Sequence, residues 1–213
     1  MVLPYSGAAS VPKYADMQLS RLVFIGLCTW GAWHWYQTRP VMHVSPGTVA
    51  AAEPEQTRPR QSDFNLRGYA IRPLAHFKVR ARVLSREDYR ADKESDLSPT
   101  DLALGWGRMS DSAVYEQLHI SQSGRFYFWR YDNEPPIPPD EIIRSSANMH
   151  LIPANDGVRG ALAKVRPGQI VHFEGELIEA TQPSGWRWRS SLTREDSGAG
   201  ACEVIWVESL DTE

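Results

Sequence analysis

The chain has 213 residues, with 23 Lys plus Arg against 26 Asp plus Glu, 42% hydrophobic residues and 23% charged ones. These proportions suit one folded domain with appendages and exclude a collagen-like chain, a disordered acidic tail and a multi-span transporter. A net charge of −3 also removes the bulk electrostatic argument for a nucleic-acid binder.

The most apolar stretch comes first. Leu22 to Tyr36 reads LVFIGLCTWGAWHWY, with no formal charge between Arg21 and Arg39. As a helix, residues 22–36 extend about 22 Å, short of a hydrocarbon core of about 30 Å. Trp30, Trp33, Trp35 and Tyr36 gather at one end as interfacial aromatics do, and Arg21 can snorkel at the other. The reading is a transmembrane signal-anchor at 22–36 that holds the chain in the inner membrane. Residues 1–21 form a cytoplasmic segment, with Met17 as a candidate start. A cleaved signal peptide is the rival, but the small run Ala50-Ala51-Ala52 lies too far downstream. Lys13 and Arg21 precede the segment and only Arg39 closely follows it, so the C-terminal part is expected outside the cytoplasm, in the periplasm of a Gram-negative cell.

Residues 37–65 carry Pro40, Pro46, Pro54 and Pro59 with little apolar periodicity, and read as a Pro-rich linker. Their alternative is an irregular arm packed on the domain. The folded unit is expected over 66–210. Phe77, Val79, Ala81 and Val83 alternate with Lys78, Arg80 and Arg82, the period of a half-buried strand. Ser98-Pro99-Thr100-Asp101 has the form of a helix start, predicting a short helix to Gly105 with Asp101 as its dipole-stabilised acid. Asp111 is expected to cap a second helix. Strands are predicted over 125–131, 146–152, 169–180, 186–192 and 202–208, with a helical turn at 140–144 and a helix over 156–165. Gly175 is expected at a bulge or bend. The order suggests a β-rich α+β domain, either a small, partly open OB-like barrel or a roll with short helices. The phrase 168–177 (GQIVHFEGEL) resembles the opening strand of many OB-like barrels.

A wider resemblance covers most of Val79 to Val207. The blocks 97–111 (LSPTDLALGWGRMSD), 121–130 (SQSGRFYFWR), 146–154 (SANMHLIPA) and 186–203 (WRWRSSLTREDSGAGACE) resemble a family of uncharacterised bacterial proteins with an N-terminal membrane anchor. The resemblance implies a bacterial source and brings no catalytic residue with it.

Several residues can carry chemistry. Ser146, Asn148 and His150 alternate on one predicted strand and so share a face. His150 is the candidate catalytic residue, needing a hydroxyl from Ser190, Ser191 or Tyr127; a hydrogen-bonded polar face is the plainer reading. The histidines at 76, 119, 150 and 172 lack the local spacing of a metal site, so no metal is expected. Gly105-Trp106-Gly107 reads as a tight turn, and no cofactor motif is found. Cys28 and Cys202 are read as small apolar residues. Trp186, Arg187, Trp188 and Arg189, with Arg194, interleave aromatic and basic groups suited to a ligand, a glycan or a protein partner. A packed Trp face with solvated arginines, paired to Glu195, Asp196 and Glu203, is the alternative. The leading expectation is a membrane-anchored extracytoplasmic domain that binds an envelope ligand or protein partner. An envelope hydrolase using His150 comes second, and a cytoplasmic OB-type nucleic-acid-binding module third.

Overall fold

The computed structural model describes residues 13–39, 46–193 and 201–213. They fall into two units, one ending at Arg39 and the other running from there to Glu213.

The first unit is helix α1, Lys13–Thr38. It covers the whole apolar run and extends beyond it at both ends. Leu22, Val23, Phe24, Ile25, Leu27, Trp30, Trp33 and Trp35 are all exposed. Thr29 folds its hydroxyl back to the carbonyls of Ile25 and Gly26, and the Arg39 guanidinium lies 4.3 Å from the Tyr36 ring centre. No helix among the described residues is long and apolar enough to cross a membrane. The expected span at 22–36 is therefore not shown by this helix. Gly26, Thr29, Gly31, the tryptophans and Tyr36 interrupt the aliphatic residues and dilute the mean hydropathy.

The second unit is a β-rich α+β fold with a large mixed sheet and few short helices. Its strands are β1 (Glu55–Thr57), β2 (Phe64–Leu66), β3 (Tyr69–Asp88), β4 (Thr100–Gly105), β5 (Ser121–Ser123), β6 (Phe126–Phe128), β7 (Ser146–Pro153), β8 (Ile170–Thr181), β9 (Arg187–Arg189) and β10 (Glu203–Thr212). The helices are α2 (Ser112–Tyr115), α3 (Pro139–Arg144) and α4 (Asp156–Leu162). Pairing runs β3–β4–β7–β10–β8 and returns from β8 to β3, so five strands hydrogen-bond around a ring. Within that ring only β7 and β10 pair in parallel. Helix α4 lies between β7 and β8 in the chain, capped by the Asn155 side chain on the Val158 amide.

Alternation decides which face each side chain serves. Phe77, Val79, Leu102, Leu104, Met149, Leu151, Phe173, Leu177, Ile205 and Val207 form the main core. The opposite face carries a second cluster, in which Ile71, Leu97, Ile152, Ile178 and Val204 meet Trp186, Trp188 and Trp206. A third lies under α2, α3 and the β5–β6 hairpin, around Met109, Leu118, Ile137 and Ile142. At Gly175 a Cβ would lie 2.1 Å from the Trp206 carbonyl oxygen, so only glycine permits this approach of β8 to β10.

Two expectations fail here. Residues 100–105 are a strand, although 98–101 has the composition of a helix start. Leu102 and Leu104 enter the main core while Ala103 enters the third cluster, and β3 and β7 flank the segment on both edges. Burial of both faces overrides the local capping signal. Nor is the expected linker free along its length. Ser110 Oγ accepts from the Val49 and Ala50 amides, Asp111 accepts from the Gly47 amide, and β1 pairs with β3. The folded unit therefore already includes residues 47–65.

Candidate functional site

Register places the candidate site on the face opposite the main core. Asp101 of β4 and Val204 of β10 are the two cross-strand partners of His150 on β7. Cys202, two residues before Val204, falls beside Asn148 by the same register. Four side chains, from β4, β7 and the residue just before β10, thus meet through topology alone, with 100 residues between the first and the last in sequence.

Asp101 is wholly buried, His150 nearly so, and Cys202 is partly exposed. Asp101 Oδ2 lies 2.8 Å from His150 Nδ1 as a close, buried ion pair. Asp101 Oδ1 accepts from Arg125 Nη1 at 2.8 Å. Arg125 is gripped further by a bidentate pair to Asp92, at 2.7 and 2.8 Å, and lies 3.7 Å from the Tyr89 ring centre. Trp188 covers the imidazole, with ring centres 4.8 Å apart. Asn148 Nδ2 donates to the Arg125 carbonyl at 3.0 Å and reaches Asp101 Oδ2 at 3.4 Å and Cys202 Sγ at 4.0 Å, while its own oxygen accepts from Gln122.

Arg125 occupies the Gly124-Arg125 turn of the β5–β6 hairpin at φ +72°, with Gly124 at +58°. A side chain in this left-handed region is disfavoured by about 1 kcal/mol or more. The strain is held by the ion pairs and by the Tyr89 hydroxyl, which accepts from the Arg125 amide at 3.0 Å. This turn delivers both ends of the residue to the site: the guanidinium to Asp101, and the carbonyl to Asn148 and to Cys202 Sγ at 3.8 Å.

Electrostatics follow from the burial. Burial alone would lower the His150 pKa, but hydrogen bonding to and the charges of Asp101 and Cys202 outweigh it and raise the value to about 9. The ring is therefore an imidazolium at neutral pH. Burial also opposes the Arg125 charge, yet Asp92 and Asp101 overcome it and hold its pKa above the ordinary value. Asp92 is held below its usual range by Arg125.

Of the residues singled out in the sequence, His150, Asn148 and Trp188 are brought together. Ser190, Ser191 and Tyr127 make bonds of their own. Ser190 bonds the Ser191 carbonyl and the Val204 amide, Ser191 turns to Thr193, and Tyr127 bonds Ser146 with its pKa pushed up to about 12 by burial. Trp186 packs edge-on against Tyr69, 5.3 Å away. Arg187 and Arg189 turn to the other side of β9 and bind Glu179, to which Arg72 also pairs. The expected acidic partner Glu203 is buried in β10; Arg194, Glu195 and Asp196 lie outside the described residues.

Asp101, Arg125 and Cys202 were not legible as site residues. Asp101 is hidden in a helix-start pattern, Arg125 in an aromatic hairpin, and Cys202 reads as a small apolar residue. Comparison with protein-family models, curated proteins and solved structures yields no match.

Proposed function

We propose that the second unit is an OB-type barrel whose Asp101–His150–Cys202 cluster is the active site of a thiol-dependent acyl hydrolase, held at a membrane by α1. The barrel assignment is supported by the ring order, by its parallel β7–β10 pair and by a helix between β7 and β8. The activity rests on one observation: His150 pairs with the buried Asp101, and the partly exposed Cys202 is near enough to help raise its pKa. A nucleophile, an acid–base group and an orienting acid are the three parts of covalent acyl transfer.

In this reading the Cys202 thiolate attacks a carbonyl carbon, and the carbon–sulfur bond forms as the carbonyl π pair moves to oxygen. Collapse of that adduct expels the alcohol or amine, which takes the His150 proton. Neutral His150 then draws a proton from water, whose oxygen attacks the thioester. The acid leaves and the thiolate–imidazolium pair is restored. Asp101 keeps the ring oriented throughout, and Arg125 holds Asp101 in place. The test is incubation of the full chain with a p-nitrophenyl ester, followed by mass spectrometry. Acylation is expected at Cys202, absent in Cys202→Ser and slowed at least about a hundredfold in His150→Gln. An unmodified Cys202, or acylation indifferent to His150, would overturn the assignment.

A second reading, binding of an envelope ligand, is favoured by a hollow of about 330 Å³ lined by Asp63, Phe64, Asn65, Arg72 and Glu179. Arg72, which lines it, pairs with Glu179, as do Arg187 and Arg189 of β9.

A further inference from the structure

A second cluster of ionisable groups lies away from Cys202, where β3, β8 and β10 run side by side. His76 and Trp206 are the cross-strand partners of Glu176, and Glu208 sits in the bulge where the β10 register skips one residue. One ligand atom from each of His76, Glu176 and Glu208 lies within 4.8 Å of the others. His76 and Glu176 are buried, and the chain before β2 covers them: the Arg60 amide donates to Glu176 Oε1 at 3.0 Å and Gln61 Nε2 to Glu208 Oε1 at 2.8 Å.

Three features set this cluster apart from a surface ion-pair network. Glu176 is wholly buried, yet its Oε2 accepts no hydrogen bond among the described residues. An ionised carboxylate in that position is unfavourable unless a cation joins it. The nearby cations do not, because Arg60 and Lys78 both place their charges on Glu174. Finally, His76 Nε2 is held by Glu174 Oε1 at 2.8 Å, leaving Nδ1 facing Glu176 Oε1 at 3.2 Å. A carboxylate behind an imidazole is the arrangement that fixes the ring of a metal-binding histidine.

We propose that His76, Glu176 and Glu208 form a binding site for a divalent transition-metal ion of the Zn²⁺ or Mn²⁺ class. Imidazole with two carboxylates suits these ions better than Mg²⁺ or Ca²⁺, which favour all-oxygen shells. Ligand atoms already this close need shifts of less than about 1 Å to reach metal distances near 2.1 Å. Through Glu176 and Glu208 the ion would fasten the Arg60-Gln61 segment to the barrel wall.

The test uses the full chain carrying Cys202→Ser, so that the thiol does not compete, stripped with EDTA and titrated calorimetrically with ZnCl₂ or MnCl₂. One equivalent is expected to bind and to raise the melting temperature, with Mg²⁺ much weaker. Glu208→Gln, a half-buried and nearly isosteric change, is expected to weaken binding about tenfold or more while the fold persists; Glu176→Gln is expected to abolish it. Absence of binding by a protein that melts cooperatively would overturn the proposal. So would unchanged affinity in both variants, which would place the ion elsewhere. Stabilisation by Glu176→Gln without any ion binding would do the same, identifying a shared proton instead.

Discussion

At the scale of single residues, His150 ties stability to pH. Its folded pKa of about 9 stands above the ordinary 6.5, so the folded state binds the proton more tightly than the unfolded chain does. The stabilisation is fully present below pH 6.5 and disappears as pH rises through 9. A difference of this size is worth on the order of 3 kcal/mol. Urea denaturation at pH 6 and pH 9.5 should show wild type losing about that much relative to His150→Gln, whose stability lacks this component. Equal pH dependence in the two proteins would mean that Asp101 and Cys202 do not hold the ring charged. The residues that create this effect were unevenly visible in the sequence. Alternation along 146–150 placed Asn148 and His150 on one face, since a strand's period is local information. Asp101, Arg125 and Cys202 come from other strands and a hairpin turn, and nothing local encodes which of them meets His150.

At the scale of elements, long strands and capped helices were legible because their signals are contiguous. The strand ending near Ala180, the start of α4 at Asp156 and the helical turn preceding β7 all lie where periodicity and local composition place them. The segment over 100–105 was misread for the opposite reason: its helix-start signal is local, whereas the burial that makes it a strand comes from β3 and β7. Ligand spacing failed likewise for His76, Glu176 and Glu208, which three strands contribute singly. Gly175 shows how a local hint and a tertiary contact can coincide. It was expected at a bend, and the Trp206 carbonyl occupies the space of any Cβ there. Gly175→Ala must push β8 from β10, and is expected to cost roughly 2–3 kcal/mol by chemical denaturation. A change below about 0.5 kcal/mol would mean that the two strands separate at that point with little loss.

At the scale of the whole molecule, α1 and the β-rich unit treat their apolar side chains differently. The β-rich unit buries its large apolar groups in three clusters. Helix α1 leaves its own exposed from Leu19 to Tyr36, an apolar surface far beyond what isolated helices tolerate in water. Its aliphatic residues lie toward one end and its Trp and Tyr side chains toward the other, the distribution of a segment seated at a lipid interface. Attachment to a membrane through α1 therefore predicts a clean division on cutting the chain. The full chain should sediment with bacterial membranes and resist extraction by high salt, whereas a fragment from residue 40 onward should stay in the supernatant with an unchanged melting transition. Alkaline phosphatase fused after Glu213 should then be active if the β-rich unit lies outside the cytoplasm. A full chain released by salt would reduce the attachment to electrostatics and remove the apolar role of α1. An inactive phosphatase fusion, with membrane sedimentation intact, would keep the attachment and return the β-rich unit, with Cys202 and its partners, to the reducing side of the membrane.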